Sequence, residues 1–247
     1  MDFYILLISF FIIALIYSSV GFGGGSSYLA LLALPVFALV FPVIRSTALF
    51  CNIIVVTGGI IIFYREGKLS LRESWPYLIS SVPMAYVGGF WPIQEQTFFV
   101  LLGVTLVIVP FLLWFQNGKT EGSGAPGIPE TNGLKLALGG AIGLLSGLVG
   151  IGGGIFLSPI LHMLRWSEPK RISAIASLFI LVNSISGMIG LMSHSPNIPK
   201  EIPFFAIAAV IGGLIGAEYG SRRIAGPNLK RLLAVVLIIA GIKMVFS

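Results

Sequence analysis

VGFGGG at 20–25 and VGIGGG at 149–154 decide the reading of this chain. Each copy closes one apolar run and opens another, and the copies stand 129 residues apart. A glycine in a helix interior costs about 1 kcal/mol relative to alanine. Three consecutive glycines inside apolar sequence of hydrocarbon length therefore mark an interrupted helix. Two interruptions at one spacing point to an internal duplication, and in membranes broken helices gather where a solute is bound.

The sequence around the motifs is that of an integral membrane protein. It is 56% hydrophobic and 10% charged, with a mean hydropathy of +1.00, whereas a soluble domain carries about 25% charged residues. Many apolar runs reach the roughly 17–25 residues that span a bilayer as a helix. They lack the period-two alternation of a membrane barrel. The expected fold is an all-α polytopic membrane protein with 8–10 apolar segments. The net charge of +6 comes from Lys and Arg placed between apolar runs, where they set topology. No basic patch with aromatic platforms exists for nucleic acid, so none is expected as a partner. Cys51 is the single cysteine, which excludes an intrachain disulfide and a zinc spacing. No metal, cofactor or catalytic set is expected, and the chain reads as a non-enzyme. The start, Met1-Asp2, has no basic flank, so the first segment is read as a retained membrane segment rather than a signal peptide.

Ten apolar segments can be marked, at 2–20, 25–44, 46–64, 75–91 and 97–115, then 134–149, 154–164, 172–192, 203–220 and 229–246. They form repeat one (1–115) and repeat two (134–247), joined by the Gly- and Pro-rich stretch 116–133, which reads as a flexible cytoplasmic linker. Beyond the glycines the halves align at an offset of 131: Asn52 on Asn183, Ser46 on Ser177, Gly89 on Gly220. Basic residues then decide orientation. With five segments per half, 12 of the 15 Lys and Arg fall on one side, and only Arg45, Lys200 and Lys243 on the other. With each motif as a mere kink, the split is 8 against 7 and the positive-inside rule is lost. The first arrangement makes the repeats inverted in topology, with both termini outside the cytoplasm. Its parity is the same whether the segments around each motif are two full passes or a re-entrant hairpin. The run 154–164 has 11 residues, about 16 Å of helix, which favours half-helices meeting at the glycines.

A break in lipid frees backbone N–H and C=O groups, each costing several kcal/mol if unpaired. The helix after each motif would offer free N–H groups and its positive dipole end to an anion. Candidate substrate-binding residues are therefore Gly21, Gly23, Gly24, Gly25, Ser26 and Ser27 in copy one, and Gly150, Gly152, Gly153 and Gly154 in copy two. The competing reading is close helix packing, which small residues also serve. Asn52 and Asn183, in matched segments, either contact solute or tie helices together. Ser46 and Ser177 lie nearby and either join that site or bond their own helices. Arg45, expected between two apolar runs on the outer face, either clamps an anion or snorkels. His162 and Glu218 are candidates for proton coupling; the alternatives are an interfacial histidine and an ion pair of Glu218 with Arg222.

The doubled motif, with IGGGIFLSPIL (151–161) and AIASLFILVNSISGMIG (174–190) after the second copy, resembles the TauE/SafE family of sulfite-exporter-like permeases. The likeness covers nearly the whole chain. It implies transport of a small sulfur-containing anion, such as sulfite or an organosulfonate, across the plasma (inner) membrane of a prokaryote. The family motif falls on Gly21, Gly23, Gly24, Gly25, Gly150, Gly152, Gly153 and Gly154. Copy one departs from the pattern: the proline that follows the glycines in copy two, Pro159, has no close counterpart, so the half-sites are not equivalent. The chain is expected to be a secondary transporter working by alternating access, with proton coupling or facilitated export and with a homodimer compatible. An anion channel and a membrane-embedded assembly factor without its own solute are the rival readings.

Overall fold

The computed structural model describes residues 2–19, 22–34, 41–114, 131–164, 166–194 and 202–222. Gly21, most of the central linker and the final apolar segment, 229–246, lie outside them. The described residues form nine helices and no strand: α1 Asp2–Ser19, α2 Gly25–Leu32, α3 Phe41–Arg65, α4 Leu71–Phe90, α5 Glu95–Trp114, α6 Asn132–Val149, α7 Gly154–Leu164, α8 Pro169–His194 and α9 Ile202–Arg222. The chain is thus an all-helical, multi-pass membrane protein. Among the described residues, Val43–Arg65, Asn132–Val149 and Pro169–Ser193 are long and apolar enough to cross a bilayer. Large apolar side chains such as Ile8, Ile12, Ile79, Ile207 and Ile211 stand exposed on the outside, a surface that suits hydrocarbon rather than water.

One expectation is corrected. The apolar run 25–44 is not a single helix. It ends at Leu32 in α2, and α3 already begins at Phe41. Pro42 is tolerated there because a helix's first turn needs no intrahelical N–H bond. Arg45 therefore lies not between segments on an outer face but in the second turn of α3, only 3% exposed. With that change the halves look alike. Each has a long first helix, a short one after the glycines and a long third one. At eight and 11 residues, α2 and α7 reach only about 12 and 16 Å, half of a hydrocarbon core.

Packing is close because glycines carry it. A Cβ on Gly139, Gly143 or Gly147 of α6 would overlap the carbonyls of Tyr77, Ser81 or Ala85 on α4. On the other side, Gly212 and Gly216 of α9 press on the carbonyls of Phe11 and Leu15 of α1. The helix pairings come in twos. The α1–α9 and α4–α6 pairs exchange when the halves are swapped, as do α3–α9 with α8–α4 and α2–α3 with α7–α8. The pair α3–α8 maps on itself.

Two ion pairs fix relative directions. Lys68, just past α3, lies 3.7 Å from Glu168, just before α8. Arg171 of α8 donates to Glu73 of α4 at 2.8 Å. The end of α3 thus adjoins the start of α8, and Leu49 packs with Met188 and Leu191 further along. The helices α3 and α8 run antiparallel.

Candidate functional site

The interruptions are built on glycine backbone. Gly24, with φ of 84°, caps the start of α2, and Gly150, with φ of 79°, ends α6. Gly152 and Gly153 follow at 81° and 79°. This left-handed region costs a residue with a Cβ roughly 1–2 kcal/mol. Space is equally short. A Cβ on Gly23 would overlap the Asn52 carboxamide, and one on Gly152 would stand 2.6 Å from both Asn52 Nδ2 and Ser184 Oγ. The glycines turn the chain and admit neighbouring helices, as the packing reading expects.

Asn52, fully buried on α3, holds the two breaks together. Its Oδ1 accepts from the Gly25 N–H, the first amide of α2, at 3.2 Å. Its Nδ2 donates to the Ile151 carbonyl at 3.2 Å and to Ser184 Oγ on α8 at 3.0 Å. One carboxamide thus satisfies a backbone donor freed by the first break and an acceptor freed by the second. Arg45 serves the other end of the second break. Its Nη2 donates to the Gly147 carbonyl in the last turn of α6 at 2.9 Å, a cation at the negative end of the helix dipole. Its guanidinium carbon lies 5.9 Å from the centre of the Phe98 ring, at the long end of cation–π contact.

A small cavity opens between the breaks, lined by Tyr17, Phe22, Gly23, Gly24, Gly25, Ser26, Asn52, Ile151, Ile155 and Ile180. The free space among these residues admits little more than one water. A larger solute enters only if the walls move. The Ser27 hydroxyl donates to the Tyr17 hydroxyl at 2.6 Å. Ser26 Oγ, 2% exposed, lies beside the same Tyr17 hydroxyl without a well-formed hydrogen bond.

The other sequence candidates lie around this centre or away from it. Ser46 and Ser177 donate to Val43 and Ser173 of their own helices. Asn183 on α8 is 1% exposed, and neither its Oδ1 nor its Nδ2 has a partner. His162 is half-buried in the last turn of α7, and Glu218 is exposed on α9; neither lines the cavity. No cluster of three metal-ligating side chains occurs among the described residues. Tyr17, Ser146 and Ser184 were not singled out from the sequence. Tyr17 and Ser146 occupy matched positions at the 129-residue offset of the glycines, and that match was the available signal.

The sequence model described as "Sulfite exporter TauE/SafE" matches residues 6–244. The chain belongs to this family. A relative in Sinorhizobium fredii (strain NBRC 101917 / NGR234), described as "Probable membrane transporter protein y4hK", is 33% identical over 243 residues, covering 98% of this chain and 97% of the relative. No solved structure matches. Family and relative together make this TauE/SafE chain a membrane transporter.

Proposed function

We propose that the chain is a secondary transporter that moves a small anion, sulfite or an organosulfonate, across the plasma membrane by alternating access between two inverted repeats. The observation that carries this reading is the meeting of two glycine-broken helices over one small cavity, with the buried Ser26 hydroxyl at its wall. Half-helices at membrane depth are tolerated where they line a solute site, and the start of α2 gives the site its positive end. The antiparallel course of α3 and α8 and the exchange of helix pairings support the inverted duplication. The ion pairs Lys68–Glu168 and Arg171–Glu73 support one basic face at 65–72 and 165–171, as the positive-inside count requires. The tightness of the cavity favours a carrier over an open pore.

The test is flux in proteoliposomes. The intact protein is expected to give saturable uptake of radiolabelled sulfite, with no unitary conductance in planar bilayers. Gly24→Val is expected to abolish that uptake in protein that still elutes as a single folded species. Undiminished flux in this variant would reject the glycine site, and absence of flux for every small anion would leave the assembly-factor reading.

A further inference from the structure

Asn52 and Asn183 match in sequence but not in what they do. Asn52 is consumed by three hydrogen bonds, two to the breaks and one to Ser184. Asn183 leaves its donor and its acceptor idle in a fully enclosed place. Ser146, also 1% exposed, leaves its hydroxyl idle too. Ser146 matches Tyr17, and Tyr17 and Asn52 line the cavity between the breaks. The packing puts Ser146 and Asn183 on neighbouring stretches of α6 and α8. A Cβ on Gly153 would meet both Phe179, one turn before Asn183, and Ser146 at 2.8 and 3.1 Å. One turn after Asn183, Gly187 abuts Gly147. Buried amides and hydroxyls without partners are rare, because burying them unpaired is costly, and each calls for an explanation.

We propose that Ser146 and Asn183 form a second polar subsite, between α6 and α8, that binds the transported solute, while Asn52 is a clasp and not a ligand. The proposal rests on the transporter reading above. The chemistry of the pair specifies the solute. Ser146 Oγ–H and Asn183 Nδ2 need acceptor oxygens, and Asn183 Oδ1 needs a donor. A fully deprotonated oxyanion meets the first need and clashes with the second. A singly protonated oxyanion meets both. Arg45, bonded to the carbonyl of Gly147 next to Ser146, brings positive charge to the same end of α6. The subsite thus selects hydrogen sulfite over a sulfonate of equal size.

Binding to the purified full chain distinguishes the outcomes. Sulfite and methanesulfonate are titrated calorimetrically at mildly acidic pH, where sulfite carries one proton. Wild type is expected to bind sulfite at least tenfold more tightly than methanesulfonate. Ser146→Ala and Asn183→Leu should each weaken sulfite at least tenfold and bring the two solutes level. The unliganded melting temperature of Asn183→Leu should stay unchanged or rise, because an unpaired amide is replaced by an apolar group of similar size. Sulfite affinity kept by both variants in a wild type that binds it overturns the subsite and leaves the transporter reading intact. Equal wild-type affinity for the two solutes overturns the selection. A wild type that binds neither solute overturns the subsite together with the reading beneath it. Should Asn183→Leu fail to fold, Ser146→Ala decides alone.

Discussion

At the scale of single residues, Asn52 and the glycines carry the site, and their costs can be ordered. Asn52→Leu strands the Gly25 N–H, the Ile151 carbonyl and the Ser184 hydroxyl. Stranded groups in water-soluble cores cost about 1–3 kcal/mol each, but polar contacts between membrane helices average about 0.6 kcal/mol. The expected loss is therefore about 2–4 kcal/mol, readable as a lowered melting temperature in detergent, a drop that Ser146→Ala should not share. Gly153→Ala combines a φ of 79° with a Cβ 2.8 Å from the Phe179 ring and is expected to cost about 2–3 kcal/mol. Gly59, in the body of α3 with nothing within 4 Å of an added Cβ, is the contrast. Gly59→Ala is expected to raise stability by about 0.5–1 kcal/mol. If it destabilises as Gly153→Ala does, packing and φ are not what distinguishes the glycines.

At the scale of elements, the sequence made the broken helices legible and hid one boundary. Three glycines interrupt an apolar run visibly, since no other residue type takes positive φ so readily. The α2–α3 connection was invisible to hydropathy because the stretch 31–44 contains no charged or strongly polar residue. Apolar composition tells that a segment is in a membrane, not where its helices end. Pro35 and Pro42 were the punctuation, and the misplaced boundary put Arg45 in a loop when it caps α6 from within α3. Ser184 was missed for a related reason: a lone serine on a long apolar helix usually bonds its own backbone, and only three-dimensional contact separates it from Ser46 or Ser177. The α4–α6 pair invites a test of its own. Gly143→Leu would drive a side chain into the Ser81 carbonyl, where backbone cannot yield cheaply. The variant is expected to lose its sharp melting transition or to elute as aggregate. Wild-type melting would mean that these helices are not in contact.

At the scale of the whole molecule, the offset between halves and the asymmetry of basic residues put 65–72 and 165–171 on one face. The ion pairs across 68–168 and 73–171 agree with that grouping. Lys68→Cys with Glu168→Cys is accordingly expected to form a disulfide in native membranes, blocked by a thiol reagent delivered from the cytoplasm. Were the two loops on opposite faces, roughly 30 Å of hydrocarbon would separate the thiols and none would form. What the sequence could not supply was the division of labour between matched residues. Matched side chains such as Asn52 and Asn183 meet different neighbours. The bridge made by Asn52 has a mechanical corollary. Because a single amide grips both interruptions, a break that moves away from α3 forfeits its own bond while the other keeps its own. Under the alternating access proposed above, the carboxamide would act as a latch that stays fastened on whichever half is not moving.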